Sequence, residues 1–261
     1  MLDHPGWDHC QTGPVRAVRA GGGIWQVNTQ PLFSATLIKT SALDPRVDVY
    51  DPAKLDPTLT PPGLLAALRQ AGPVARLRNP DLWDALATAI IRQVIRAGHA
   101  RLMHQRFRAA VGHPVEDTHL MPDAATVAGL KAEVFNDLGM AFKARPLRTA
   151  AERYLADGPG WELLAPAETL KAVMTVSRIG PWTASAAIAD YTGDFSFYPY
   201  DDLAVRTWAA RADPGTPWPI TSADFADRWR EAAGPHLSTL TALTLAWGER
   251  HIAIPLPRSG G

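Results

Sequence analysis

The sequence predicts a mainly α-helical chain with a small β-rich (α+β) N-terminal domain. Three observations carry this reading. From Leu82 onward, apolar residues recur at helical spacing between clusters of glycine and proline. Between Ile24 and Tyr50 they alternate instead, as in Ile24-Trp25-Gln26-Val27 and Phe33-Ser34-Ala35-Thr36-Leu37, the pattern of half-buried strands. The two regimes are separated by a proline-rich stretch, residues 51–63. The expected division is a β-rich region at 1–72 and a helical core at 73–261. At 261 residues and 46% hydrophobic, the chain can bury a full core.

Taken in order, residues 1–23 are polar and end in Gly21-Gly22-Gly23, which reads as a loose arm. Strands follow within 24–40 and 46–50, then a linker, then a short helix at 64–69. Asn79-Pro80-Asp81 is a strong helix entrance, and 82–111 reads as one long amphipathic helix. Its charge is one-sided: Arg92, Arg96, Arg101, Arg106 and Arg108 occur with no acidic residue between Asp84 and Glu116. That is a solvated face or a phosphate-binding one. Residues 124–155 give two helical stretches joined at Leu138-Gly139-Met140, with Lys143, Arg145 and Arg148 at the start of the second. Helices are also expected at 166–174 and 183–190, after a loop at 161–166. Two more, at 222–233 and 237–247, close the core ahead of a frayed tail at 258–261.

The stretch Val176-Ser177-Arg178-Ile179-Gly180-Pro181-Trp182-Thr183-Ala184 joins two of these helices through a tight turn. Gly180 can take a left-handed backbone, and Pro181 suits the first turn of the next helix, where it sacrifices no amide partner. The free N–H groups and dipole at that helix start form an anion site, with phosphate the obvious ligand. Asp202 lies 22 residues after Gly180 and opens another helix as Asp201-Asp202-Leu203-Ala204-Val205-Arg206. One Asp there would serve as an N-cap; two exceed that need.

Ile179-Gly180-Pro181-Trp182-Thr183-Ala184, with an Asp spaced this way, resembles the helix-hairpin-helix (HhH-GPD) DNA glycosylases, closest to their AlkA-like 3-methyladenine branch. The resemblance spans about residues 81–247. It implies a helix-hairpin-helix DNA glycosylase helical core acting on damaged double-stranded DNA. The hairpin would hold phosphate through Arg178, Ile179, Gly180 and Thr183, and its backbone carbonyls would hold a monovalent cation. Arg178 stands where the family has the first glycine of its turn, and an arginine there can itself reach phosphate. Asp202 takes the catalytic place, with Asp201 the competing assignment. Trp182 and Trp247, then Tyr198 and Tyr200, are the walls of the base pocket. Gln93 and Val94, flanked by Arg92 and Arg96, resemble the wedge that fills the space of an extruded base; the alternative is a core valine beside a surface glutamine. The lyase lysine of bifunctional members falls at Trp182, so the expected enzyme is monofunctional. A wall tyrosine falls at Ala186, which widens the range of lesions to bulky adducts or deaminated bases. A non-catalytic DNA-binding module is the remaining alternative.

A formal net charge of +0 excludes bulk electrostatic adhesion and requires a local basic face. The single cysteine, Cys10, excludes a disulfide scaffold and a four-cysteine iron–sulfur cluster, and no metal site made of side chains is apparent. No apolar run approaches the roughly 18 residues of a membrane span. The expectation is a monomer in the cytoplasm, associated with the nucleoid and needing no cofactor beyond the hairpin cation.

Overall fold

A computed structural model describes residues 4–11, 13–29, 34–39 and 43–250. They form two compact units, one of residues 2–48 and 76–199 and one of 49–75 and 200–261. The division differs from a single boundary near residue 72. The N-terminal strands cluster with the hairpin helices, and the proline-rich stretch clusters with the C-terminal helices.

In the first unit, β1 (Asp8–Cys10), β2 (Gly13–Ala20), β3 (Gly23–Asn28) and β4 (Ser34–Lys39) make an antiparallel sheet in that order. The expected loose arm is therefore largely strand. Gly21 (φ 54°) and Gly22 (φ 78°) turn β2 back onto β3, pairing Ala20 with Gly23; two left-handed residues are what a two-residue hairpin demands. The sheet buries Trp7, Val18, Ala20, Trp25 and Val27 against Leu77, and Ala17 against Val115 and Leu120. Phe33 and Thr40, expected in strand, lie outside the described residues. β5 (Val47–Tyr50) carries the chain into the second unit, where α1 (Pro62–Ala71) lies, and β6 (Val74–Leu77) returns it.

α2 (Leu82–Arg92) is the axis of the first unit, buried from Leu82 to Ile91 and capped by Asp81, whose carboxylate accepts the Asp84 amide at 3.1 Å. The single helix expected over 82–111 is instead α2 and α3 (Ala97–Val111), broken at residues 93–96 where Val94 takes φ 61°. Two short strands, β7 (Pro114–Val115) and β8 (Thr118–His119), precede α4 (Ala124–Gly129) and α5 (Ala132–Asp137). α6 (Ala141–Trp161) then runs past residue 155, where the helix was expected to end, through Gly158-Pro159-Gly160 to the first residue of the expected loop. α7 (Pro166–Met174) and α8 (Pro181–Thr192) follow, and α8 packs along α2 and against α7.

A buried polar network ties the N-terminal strands to these helices. Arg16 Nη2 donates to Asp84 at 3.1 Å and lies 3.2 Å from His4 Nε2. The Thr88 hydroxyl bonds both Asp84 and His104, each at 3.0 Å. Arg76 and Asn79 bind Asp190 of α8, and Arg108 binds Asp8.

In the second unit, the expected linker is ordered. Asp51 caps a 3-10 turn (Pro52–Lys54), Leu55 is buried, and the Thr60 hydroxyl donates to Ala232 O at 3.0 Å. α9 (Leu203–Ala212), α10 (Ser222–Ala233) and α11 (Leu237–Arg250) complete it around Trp218, Phe225 and Trp229, whose indole N–H reaches Thr241. The tail at 258–261 lies outside the described residues.

Candidate nucleic-acid interface

α7 ends at Thr175, and the chain reaches α8 through Val176, Ser177, Arg178, Ile179 and Gly180. Val176 and Ile179 are buried and pin the turn from below, while Ser177, Arg178 and Gly180 are exposed. The left-handed residue is Arg178 (φ 71°), not Gly180, which is extended at φ −86° and serves as the N-cap of α8. The left-handed step of the hairpin thus falls on an arginine, which bears its steric cost. The first helical bond of α8 runs from Ala184 N to Gly180 O at 3.1 Å, so the amides of Trp182 and Thr183 precede the intrahelical ladder. A Cβ built on Gly180 would meet only open space.

The Gln93–Val94 turn sits against this hairpin. Gln93 Nε2 donates to Arg178 O at 3.2 Å and to the hydroxyl of Thr183, which is 2% exposed. Val94 is 102% exposed, and its left-handed backbone is rare for a β-branched residue. It is not a core valine. Arg92 is half-buried and Arg96 exposed on either side of it. Arg108, counted by the sequence in the basic run, is 3% exposed and bound to Asp8. Lys143 of α6, which follows Leu138-Gly139-Met140 where the resemblance implies a segment packed beneath the active site and solvent exposure was the alternative, is 3% exposed and donates to Ile90 O and Gln93 O, both at 2.7 Å. Burial pushes its ammonium down to about 8. Its burial also follows the spacing of Lys143 with Pro146, Leu147 and Ala150, the face of α6 that turns inward.

Trp182 is half-buried in the first turn of α8, and Ala186 is buried further along it. Tyr198 is buried and stacks on Phe195, with ring centroids 6.0 Å apart.

In the second unit, Asp202 occupies the N-cap position of α9 with an extended backbone (φ −60°, ψ 149°), yet its side chain makes no capping hydrogen bond. Among the described residues no hydrogen bond or ion pair engages its carboxylate. Asp201 is exposed and Asp202 half-buried. Tyr200 accepts a hydrogen bond from Arg230 Nε at 2.6 Å, and that guanidinium also lies over its ring. Trp247 is half-buried near the end of α11, next to Gly248, whose Cα lies against the Trp208 ring.

His4, Asp84 and His104 bring potential metal-ligand atoms within 4.8 Å of one another. The Arg16 guanidinium bonds two of the three, so the cluster already contains its cation. Among the described residues, no helix is long and apolar enough to cross a membrane.

No protein-family model matches this sequence, and no curated protein does. Solved structures match over nearly the whole chain. It is similar to a 3-methyladenine DNA-glycosylase from Archaeoglobus fulgidus at 16% identity and TM-score 0.68, over 96% of this chain and 91% of that one. It is similar to an 8-oxoguanine glycosylase/lyase from Clostridium acetobutylicum in complex with double-stranded DNA containing cytosine opposite 8-oxoG, at 16% and 0.67, over 95% and 89%. MBOgg1 in complex with a low-affinity DNA ligand matches at 16% and 0.65, over 94% and 88%. The chain has the fold of the helix-hairpin-helix DNA glycosylases, helical with a small antiparallel N-terminal sheet.

Proposed function

We propose that the protein is a monofunctional DNA glycosylase that extrudes an alkylated, cationic purine from duplex DNA and hydrolyses its N-glycosidic bond, the opening step of base excision repair. One observation carries the catalytic part. Asp202 stands at the head of α9 where an aspartate ordinarily caps, and its carboxylate is not spent on capping. A cationic base is already a good leaving group, so little general-acid help is required. The remaining task is to stabilise an oxocarbenium-like sugar and to orient or deprotonate water, which a carboxylate does. Extrusion costs a few kcal/mol of unstacking, least at damaged bases. Aromatic faces such as Trp182 and Trp247 favour a cationic base by about 0.5 to 2 kcal/mol.

The hairpin supplies the grip on the duplex. The Trp182 and Thr183 amides and the α8 dipole point at a phosphate, Arg178 adds a charge beside them, and Val94 enters the space of the extruded base. The family resemblance implies a monovalent cation on the backbone carbonyls of this turn, and the left-handed step at Arg178 supports that reading. The Arg178 carbonyl is itself engaged by Gln93. The ion would supply positive charge to a bound phosphate.

The 8-oxoguanine glycosylase/lyase among the similar structures motivates a second reading, a bifunctional enzyme for an oxidised base. Trp182 at the lyase position disfavours it, since an indole cannot form a Schiff base. Base release from duplexes carrying alkylated, oxidised or deaminated purines decides among the substrates. On the preferred one, Asp202→Asn should lower release about a hundredfold or more, about 2.7 kcal/mol, with DNA affinity kept or raised by removal of a negative charge. Full activity in Asp202→Asn and loss in Asp201→Asn would move the role to Asp201. Binding with no release from any lesion would favour a non-catalytic module.

A further inference from the structure

Val94 holds the least favourable backbone among the exposed residues: a β-branched side chain, wholly in solvent, at φ 61°. Something must keep it there. The carbonyl of Gln93 belongs to the same peptide plane as the Val94 amide, so fixing that carbonyl's direction fixes both ψ of Gln93 and φ of Val94. Lys143 does this. Its Nζ, reaching from α6, donates to Gln93 O and to Ile90 O at 2.7 Å each. Both acceptors lie at the C-terminal end of α2, where the helix dipole favours a cation; Ile90 O also accepts the Gln93 amide at 3.3 Å. Among the described residues, Lys143 has no carboxylate partner, so main-chain oxygens are its counter-dipoles. Gln93 then carries the restraint onward to the hairpin through Arg178 O and Thr183.

We propose that Lys143 is a positioning residue: by clamping the Gln93–Val94 peptide to the end of α2, it holds Val94 outward so that the wedge is already formed before DNA binds. The proposal rests on the glycosylase reading for its use of the wedge, but the clamp itself is a property of the free protein. In Lys143→Met the donor disappears while the apolar stem remains. Without the clamp, a left-handed valine is disfavoured by about tenfold relative to ordinary backbone. In the free protein the φ-sensitive NMR couplings of Val94 should therefore leave their left-handed values and its amide order parameter should fall, with the melting temperature maintained or raised. Fluorescence of 2-aminopurine placed beside the lesion, which reports unstacking, should fall at saturating protein. The turnover rate on bound DNA should drop about tenfold at an unchanged salt slope, because no phosphate contact is lost. Val94→Gly provides the second arm: in that background Lys143→Met should produce no further loss in turnover. Unchanged couplings and order parameter at Val94, or fully additive losses in the double variant, would overturn the proposal. A salt slope reduced by about one would overturn it too, by making Lys143 a direct phosphate contact. If the wild-type protein neither unstacks nor releases any base, the glycosylase reading falls while the Val94 couplings still decide the clamp.

Discussion

Replacing Arg178 by glycine separates what the backbone of the hairpin requires from what the arginine side chain does. An L-residue at φ 71° carries a steric cost of about 1 to 2 kcal/mol, which glycine removes. Glycine also frees the unfolded chain, costing about 0.4 to 1 kcal/mol. Arg178 is exposed, so little packing is lost. The net expectation is a gain of roughly 0.5 to 1 kcal/mol, which at 2 to 4 °C per kcal/mol for a chain of this size is about 1 to 4 °C. Urea and thermal unfolding read it directly. Affinity for lesion duplex against salt reads the side chain: one lost phosphate contact lowers the slope by about 0.9 and weakens binding at low salt. A more stable variant with a shallower slope would give Arg178 both roles, strained backbone and phosphate contact. A variant destabilised by more than about 1 kcal/mol would refute the reasoning, because the side chain and not the backbone would then hold the turn. Weaker binding at an unchanged slope would place the DNA backbone elsewhere.

Other outcomes follow from the same structure. His4 and His104 are held well below their usual pKa, first by burial and then by Arg16 and Arg108 respectively. The unfolded chain therefore binds two more protons as pH falls below about 6.5, and unfolding free energy should drop by up to about 2.7 kcal/mol per pH unit. Below about 6 the slope should halve, because Asp81, pushed up to about 6 by burial and by Asp84, then takes a proton in the folded state first. A slope that steepens steadily through pH 6, or a double His4→Gln, His104→Gln variant with the same pH profile, would contradict this. With Trp182 at the lyase position, the reaction should leave an unbroken strand with an abasic site; borohydride trapping of a protein–DNA adduct would count against it.

The hairpin was legible because its chemistry is concentrated in a few adjacent residues. Ile179-Gly180-Pro181-Trp182-Thr183-Ala184 names a buried anchor, a cap and a helix start in consecutive positions. Propensity and resemblance pointed to different residues for the left-handed step, and the resemblance, with its first glycine at Arg178, marked the one that takes it. Propensity assigns that step to Gly180, whereas the buried Val176 and Ile179 fix the path of the turn so that the step falls on Arg178. The break between α2 and α3 was hidden for the same reason. Residues 82–111 contain no proline, and the interruption is held through Gln93 by Lys143 and Arg178, partners 50 and 85 residues away in sequence.

The charge pattern shows most clearly what a linear reading misses. Counting cations along the chain put Arg108 on a basic face, but it pairs with Asp8 across the sheet, as Arg16 pairs with Asp84 and Arg76 with Asp190. All three arginines are at most 3% exposed. Each such pair offsets its own desolvation only when fully hydrogen-bonded, and removing one partner is expensive. Those cations are committed to docking the N-terminal strands on α2, α3 and α8, and are withdrawn from any phosphate. This is why the expected loose arm is ordered: residues 4–20 are anchored by Asp84, Arg108 and Asp190, side chains on helices far along the chain. It also bears on the proposed DNA binding by a chain of net charge +0. The basic run is one arginine smaller than the sequence count implies, while Arg92, Arg96 and Arg178 remain around one braced turn. Recognition must then depend on the geometry of that turn more than on the total charge of the protein.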